Sequence, residues 1–153
     1  MRAICSSMKA RDLLLILDTD PQSLRTLRAV AVSLGCERVE ADSAESLQAI
    51  LATCQPTMAV LAMDGFAIDG LAMLRILAQE GSLPATLLIG TVHARVLAGA
   101  RRTAESHGLR VIGVAARPLA ALGIEQLLMP HLKDAPPIPL GELESALTSR
   151  TEI

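Results

Sequence analysis

Aromatic side chains are nearly missing from this chain: its 153 residues include one phenylalanine and neither tyrosine nor tryptophan. Proteins that hold single-stranded nucleic acid stack its bases on such rings, so that class is excluded. An excess of basic charge is missing as well. Against 16 Asp and Glu stand 14 Lys and Arg, a net charge of -2, which offers no electrostatic footprint to a phosphate backbone. No apolar run approaches the roughly 20 residues of a membrane-spanning helix. Residues 1–11, with Arg2, Lys9 and Arg11, lack the apolar stretch of a secretory signal.

Chemistry-bearing patterns are equally sparse. The three cysteines, Cys5, Cys36 and Cys54, show no CxxC spacing, and a core-rich chain of this size does not depend on disulfides. A reducing cytoplasm is the expected setting. His93, His107 and His131 are not at metal-ligand spacing and read as surface residues. Ser6, Ser7 and the cysteines have no base nearby in sequence, so covalent catalysis has no support. No glycine fingerprint for phosphates follows the first apolar run. The chain reads as a non-enzyme with no nucleotide site.

What is present is core. Hydrophobic residues make up 51% of the chain and charged residues 20%, which excludes disorder, and the length suits one domain. Short aliphatic runs occur at 13–17, 58–63, 86–89 and 111–114, the kind found in central parallel strands covered on both faces, and a weaker run at 38–41 reads as an edge strand. Between them, residues 22–34, 44–53, 70–79, 94–106 and 119–129 space their apolar residues as helices do; the first places Leu24, Leu27, Val30, Ala31 and Leu34 on one face. Pro21 suits a first helical turn, and Asp42 or Ser43 can cap the second helix. Strand and helix alternating in this way specify an α/β fold, an open, doubly wound parallel sheet with helices on both faces. Five units in this length fit the flavodoxin-like order 2-1-3-4-5, whose site lies where strands one and three end. Those ends are Asp18 and residues 61–64. Residues 1–10 read as a disordered leader, and 133–153 as a linker rich in proline (Pro136, Pro137, Pro139) followed by a short amphipathic helix at Glu142, Leu143, Ala146 and Leu147.

Residues 17–21, Leu-Asp-Thr-Asp-Pro, resemble the first-strand motif of CheY-like response-regulator receiver domains, in which two adjacent acids precede one more residue and often a proline. The first acid is Asp18, Thr19 stands at the second, and Asp20 follows. Asp69-Gly70-Leu71 resembles the pair that opens the family's third helix, and the phosphoacceptor position seven residues before it is Ala62. The serine or threonine that ends the family's fourth strand falls on Gly90, with Thr91 one step later. The family's Lys-Pro, whose bond is cis, appears as Arg117-Pro118, and its aromatic switch position is Val114. A narrower resemblance, carried by Arg95-Val96-Leu97, Ala100-Arg101-Arg102, residues 107–113 and the tail from Pro139-Leu140 to Ala146-Leu147, is to receivers that precede EAL-type cyclic-di-GMP phosphodiesterase domains. The receiver resemblance spans residues 11–132.

The resemblance implies a signalling module of two-component, phosphorelay type that has lost its chemistry, a pseudo-receiver. Ala62 supplies no attacking oxygen, and Thr19 replaces a metal-binding carboxylate, so neither phosphoryl transfer nor Mg²⁺ binding is expected. Arg117 keeps a positive charge, as a planar fork where the family has an ammonium. It is expected to pair with Asp18 or Asp64, or else to be solvated or to contact an anion. Asp18 reads equally as a strand-end cap, and Asp64 as a turn residue or a substitute phosphoacceptor. The functions in view are contact-based control of an EAL domain, an anion or small-ligand sensor anchored on Arg117, and a receiver using Asp64. The partners in view are a protein or a covalently linked EAL domain, and a homodimer through the face of helix four, strand five and helix five, with neither nucleic acid nor membrane. Val114 would fix that face in one state.

Overall fold

The computed structural model describes residues 12–64, 70–79, 84–90 and 94–132; the leader at 1–10 and the linker and short helix at 133–153 lie outside them. Along the described residues run β1 (Leu13–Leu17), α1 (Pro21–Leu34), β2 (Glu37–Ala41), α2 (Ala44–Thr53), β3 (Met58–Ala62), α3 (Gly70–Gln79), β4 (Ala85–Gly90), α4 (Ala94–Ser106), β5 (Arg110–Ala116) and α5 (Ala121–Leu128), then one 3-10 turn, Met129–His131. All strand pairs are parallel, in the order β2-β1-β3-β4-β5. This is the flavodoxin-like sheet that the alternation of periods predicts.

Every residue of β1, β3 and β4 is buried, because side chains alternate between two faces and each face is covered. On one face Leu14, Ile16, Val60, Ala62, Leu87 and Ile89 pack against Leu27, Val30 and Ala31 of α1 and Ile124 and Leu128 of α5. On the other, Leu15, Leu17, Ala59, Leu61 and Leu88 pack against Leu47 of α2, Met73, Leu74 and Leu77 of α3 and Ala104 of α4. The run at 111–114 departs from expectation. It resembles the central runs in sequence, yet β5 lies at the sheet edge with a half-open burial pattern, and Val114 is 37% exposed. Aliphatic composition reports affinity for a sheet; the number of neighbours is set by the strand order.

The helix ends follow their caps. Asp20 accepts the Ser23 amide at 2.9 Å and Pro21 opens α1, whose end is set by Gly35 in the left-handed conformation at φ 72°. Of the two residues proposed to cap α2, Ser43 does so, in a reciprocal box with Ser46. Cys54 is disulfide-bonded, which the expectation of reduced thiols did not foresee; such a bond needs only that two sulfurs meet in space, and sequence spacing does not report that. Cys36 is free, its thiol pushed up to about 11 by burial, with the charge of Asp12 adding to the shift. Among the described residues no helix is long and apolar enough to cross a membrane.

Two outcomes follow from this packing. Leu47 is the one fully buried residue of α2, so Leu47→Ala should cost roughly 2–5 kcal/mol in urea unfolding; a cost under 1 kcal/mol would mean that α2 is not seated as described. The backbone amide of Ser23, then its hydroxyl, holds the Asp20 carboxyl below its ordinary 3.8. A group whose pKa is lower when folded contributes stability above its unfolded pKa and loses it as pH falls through the folded value. Asp20→Asn, which still caps α1, should therefore flatten the fall in melting temperature below pH 3.8. Parallel curves for the two proteins would remove Asp20 from the acid response.

Candidate functional site

The site forms where the C-terminal ends of β1, β3, β4 and β5 converge, the edge at which open α/β sheets carry their crevice. Asp18 extends the alternation of Leu14 and Ile16, which sends its side chain to the face shared with α1. There the carboxylate has no solvent exposure. It folds back on its own chain: Oδ1 accepts the amides of Thr19 at 2.7 Å and Asp20 at 3.1 Å. A buried carboxylate also needs a counter-charge.

Arg117 supplies it. The residue directly follows β5, and its amide donates to the Gly90 carbonyl at 2.9 Å, beside the cis Arg117-Pro118 bond. Its guanidinium spans two carboxylates at once. Nη1 donates to Asp18 Oδ2 at 2.8 Å and Nη2 to Asp18 Oδ1 at 3.1 Å; on the other side Nη2 donates to Asp64 Oδ1 at 2.8 Å and Nε to Asp64 Oδ2 at 3.4 Å. Nη1 also donates to the hydroxyl of Ser23 and lies 3.7 Å from Asp20. The Arg117 side chain is 10% exposed and that of Asp64 is 14% exposed. Burial alone would lower the arginine's pKa, but hydrogen bonds and charge from Asp18 and Asp64 outweigh it, and the group is raised above its ordinary value. Arg117 thus pairs with both acids that the sequence offers it; Asp64, read as turn residue or acceptor, is a hydrogen-bonded partner.

The pairing of Leu17 with Leu61 puts Asp18 level with Ala62. Ala62 is wholly buried, its methyl part of the apolar cluster beneath the site. No oxygen is offered at that point. Gly90 closes β4 and contributes a carbonyl and no side chain, while Thr19 is half-buried beside Asp18. Val114 pairs with Leu88 on the exposed edge strand, away from the charge cluster. Thr91, His93 and Asp69 lie outside the described residues. His107 is exposed, its Nδ1 2.9 Å from the Thr103 carbonyl. Among the described residues no group of three or more His, Cys, Asp or Glu is arranged to hold a metal ion.

Beside the cluster, between the ends of β1 and β2, opens a cleft of about 380 Å³ lined by Asp18, Thr19, Leu24, Glu40, Ala41 and Asp42. Its charged lining is carboxylate, with Glu40 held by Arg28 at 2.6 and 2.8 Å. An anion entering it would meet like charge.

Ser23 was not foreseen. It is 3% exposed and ties the α1 cap to Arg117. Its signal was in the sequence: four residues before Leu27, it holds a core-facing position of α1, where a small polar residue needs a partner.

No protein-family model and no curated protein matches the chain. Solved structures do. A response regulator from Thermotoga maritima superposes with a TM-score of 0.65 at 8% identity, covering 79% of this chain and 97% of that one. The signal receiver domain of an HD domain-containing protein from Pseudomonas fluorescens gives 0.67 at 16%, covering 96% and 97%. The receiver domain of a sensor histidine kinase from Pseudomonas aeruginosa, with magnesium coordinated in its active-site cleft, gives 0.61 at 15%, covering 79% and 97%. At these identities the likeness is one of fold, and the fold of this chain is that of response-regulator receiver domains.

Proposed function

We propose that the chain is a pseudo-receiver: a signalling module that takes no phosphoryl group and acts through protein contact. One observation carries this reading, the Arg117 guanidinium clamped between Asp18 and Asp64. Phosphoryl transfer to a carboxylate requires a nucleophilic oxygen, a divalent ion on neighbouring oxygens and a cation free to meet the transferred group. Here the strand-end position is a methyl, the Asp18 oxygens are already taken by two amides and the guanidinium, and the cation is engaged with two acids.

The same geometry weighs against the other two readings. An anion sensor would have to pull Arg117 from two carboxylates in a site that also holds Asp20, and the adjoining cleft is acidic. As an acceptor, Asp64 would have to surrender both oxygens from Arg117. For the output, the sequence resemblance of α4 and the tail to receivers that precede EAL domains is the support, and one structural neighbour is likewise the receiver of a protein with an HD domain. We assign the module to control of a linked or associated EAL domain, with the α4–β5–α5 face as the contact surface, for a homodimer as well. Val114 and Leu122 are exposed there, at 37% and 66%.

Treatment with acetyl phosphate, or with beryllofluoride and Mg²⁺, should leave the intact mass and the amide spectrum unchanged; a stable adduct, at Asp64 above all, would overturn the assignment. Arg117→Ala strands a fully buried carboxylate, so it should destabilise the protein by about 3–5 kcal/mol, and Asp18→Ala in the same chain should restore much of the loss. Additive costs in that cycle would mean that the pair does not organise the site.

A further inference from the structure

Gly90 is unexplained by its backbone. Left-handed conformations among the described glycines are confined to Gly35 and Gly108, so an alanine at 90 would meet no conformational penalty. Space is a different matter. A Cβ built there would stand 3.5 Å from Asp64 Cγ, 3.7 Å from Asp64 Oδ1 and 3.4 Å from Leu97 Cδ2. These are ordinary contacts, filled by one carbon. A branched side chain extends two further atoms about 1.5 Å beyond the Cβ. With Asp64 and Leu97 both already at contact distance from the Cβ, a branched side chain presses on one or the other.

Of the two neighbours, Leu97 is 3% exposed within the packed interior, whereas the Asp64 side chain is 14% exposed, the more open of the two. Gly90 also fixes the other half of the pair, since its carbonyl holds the Arg117 amide at 2.9 Å.

We infer that Gly90 is the positioning residue of the charge cluster: by anchoring Arg117 through its carbonyl and leaving the space of a side chain empty, it lets the Asp64 carboxylate close onto the guanidinium. A branched residue at this place expels Asp64, leaves Arg117 paired with Asp18 alone and frees the Nε edge of the fork. The cluster therefore depends on Gly90 as well as on Arg117, and not on the arginine alone. This inference rests on the pseudo-receiver reading, in which the closed cluster is the working state.

The test is hydrogen exchange of the Arg117 Nε–H, followed by nitrogen NMR in the full chain and assigned by its loss in Arg117→Lys. Gly90→Ala should leave the exchange rate where the native protein has it. Gly90→Val should raise it by about ten-fold or more, as the Asp64 carboxylate is withdrawn from the Nε edge. A native rate in Gly90→Val would show that Leu97 yields instead, and a rise already in Gly90→Ala would show that the strand end is disturbed as a whole; either sinks the inference. Stability gives a second reading that survives poor folding of the single variant. Gly90→Val should be far better tolerated in an Asp64→Ala chain, and an equal cost in both backgrounds is contrary to it. The two levels separate cleanly: a phosphoryl adduct defeats the pseudo-receiver reading whatever Gly90 does, while an unmoved Asp64 in an inert chain defeats only the role of Gly90.

Discussion

A carboxylate with no access to water has to be compensated, and in this chain the whole upper edge of the sheet is arranged around that need. The side chain of Asp18 has no solvent exposure. Two backbone amides satisfy part of its hydrogen-bonding capacity, but they carry no net charge. In this structure the counter-charge comes from the chain itself. The remaining source of positive charge is a side chain, and a planar guanidinium is the one that can donate to two carboxylates in fixed directions. Lysine at 117 could reach Asp18 or Asp64 as a point charge, but could not hold both in a defined plane.

Such a cluster is poor evidence for stability. Desolvating three ionised groups costs about as much as their attraction returns, and apolar replacements of similar shape often do as well. What the cluster contributes is arrangement. Asp18 and Arg117 are 99 residues apart in the chain, and Asp64 and Arg117 are 53 apart. The contacts thus tie the ends of β1, β3 and β5 to one another, with β4 joined through the Gly90 carbonyl. Ser23 brings the first turn of α1 into the same network. Four strands and a helix are registered by one residue.

Much of this was legible in the sequence, for identifiable reasons. Short aliphatic runs and the 3.6-residue period between them fixed the strand and helix alternation, and the bounds of α2, α3 and α4 coincide with the amphipathic stretches because their apolar faces end where their caps and turns begin. The pairing of Arg117 with acids was legible because charged residues at the same end of one parallel sheet have few other places to go. The double pairing was not, since Asp64 sits beyond the end of β3, where strand spacing does not report which way its side chain turns. Ser23 was hidden by its own helix: in a strip of leucine, valine and alanine a single serine reads as tolerance until its partner is known. The exposed edge of β5 was misjudged because Val111–Val114 has the composition of a core strand. The disulfide of Cys54 had no signal in cysteine spacing.

A switch works by redistributing two states, and a stimulus moves that balance only as far as it binds one state better than the other. On the pseudo-receiver reading, the cluster around Arg117 leaves a phosphoryl donor nothing to favour, since Ala62 offers it no oxygen and the guanidinium is paired with two acids. On the pseudo-receiver reading the α4–β5–α5 face is then a constant surface, with exposed Val114, Leu122 and Met129 bordered by the exposed Arg95, Arg102 and Arg110. Between Val111 and Pro130 the chain carries only two charged side chains, Arg117 within the site and Glu125 on α5. A partner reading such a surface learns that the module is present and how it is oriented, not what state it is in. On that reading a signal enters through what changes the position or number of copies of the module, and not through the pocket.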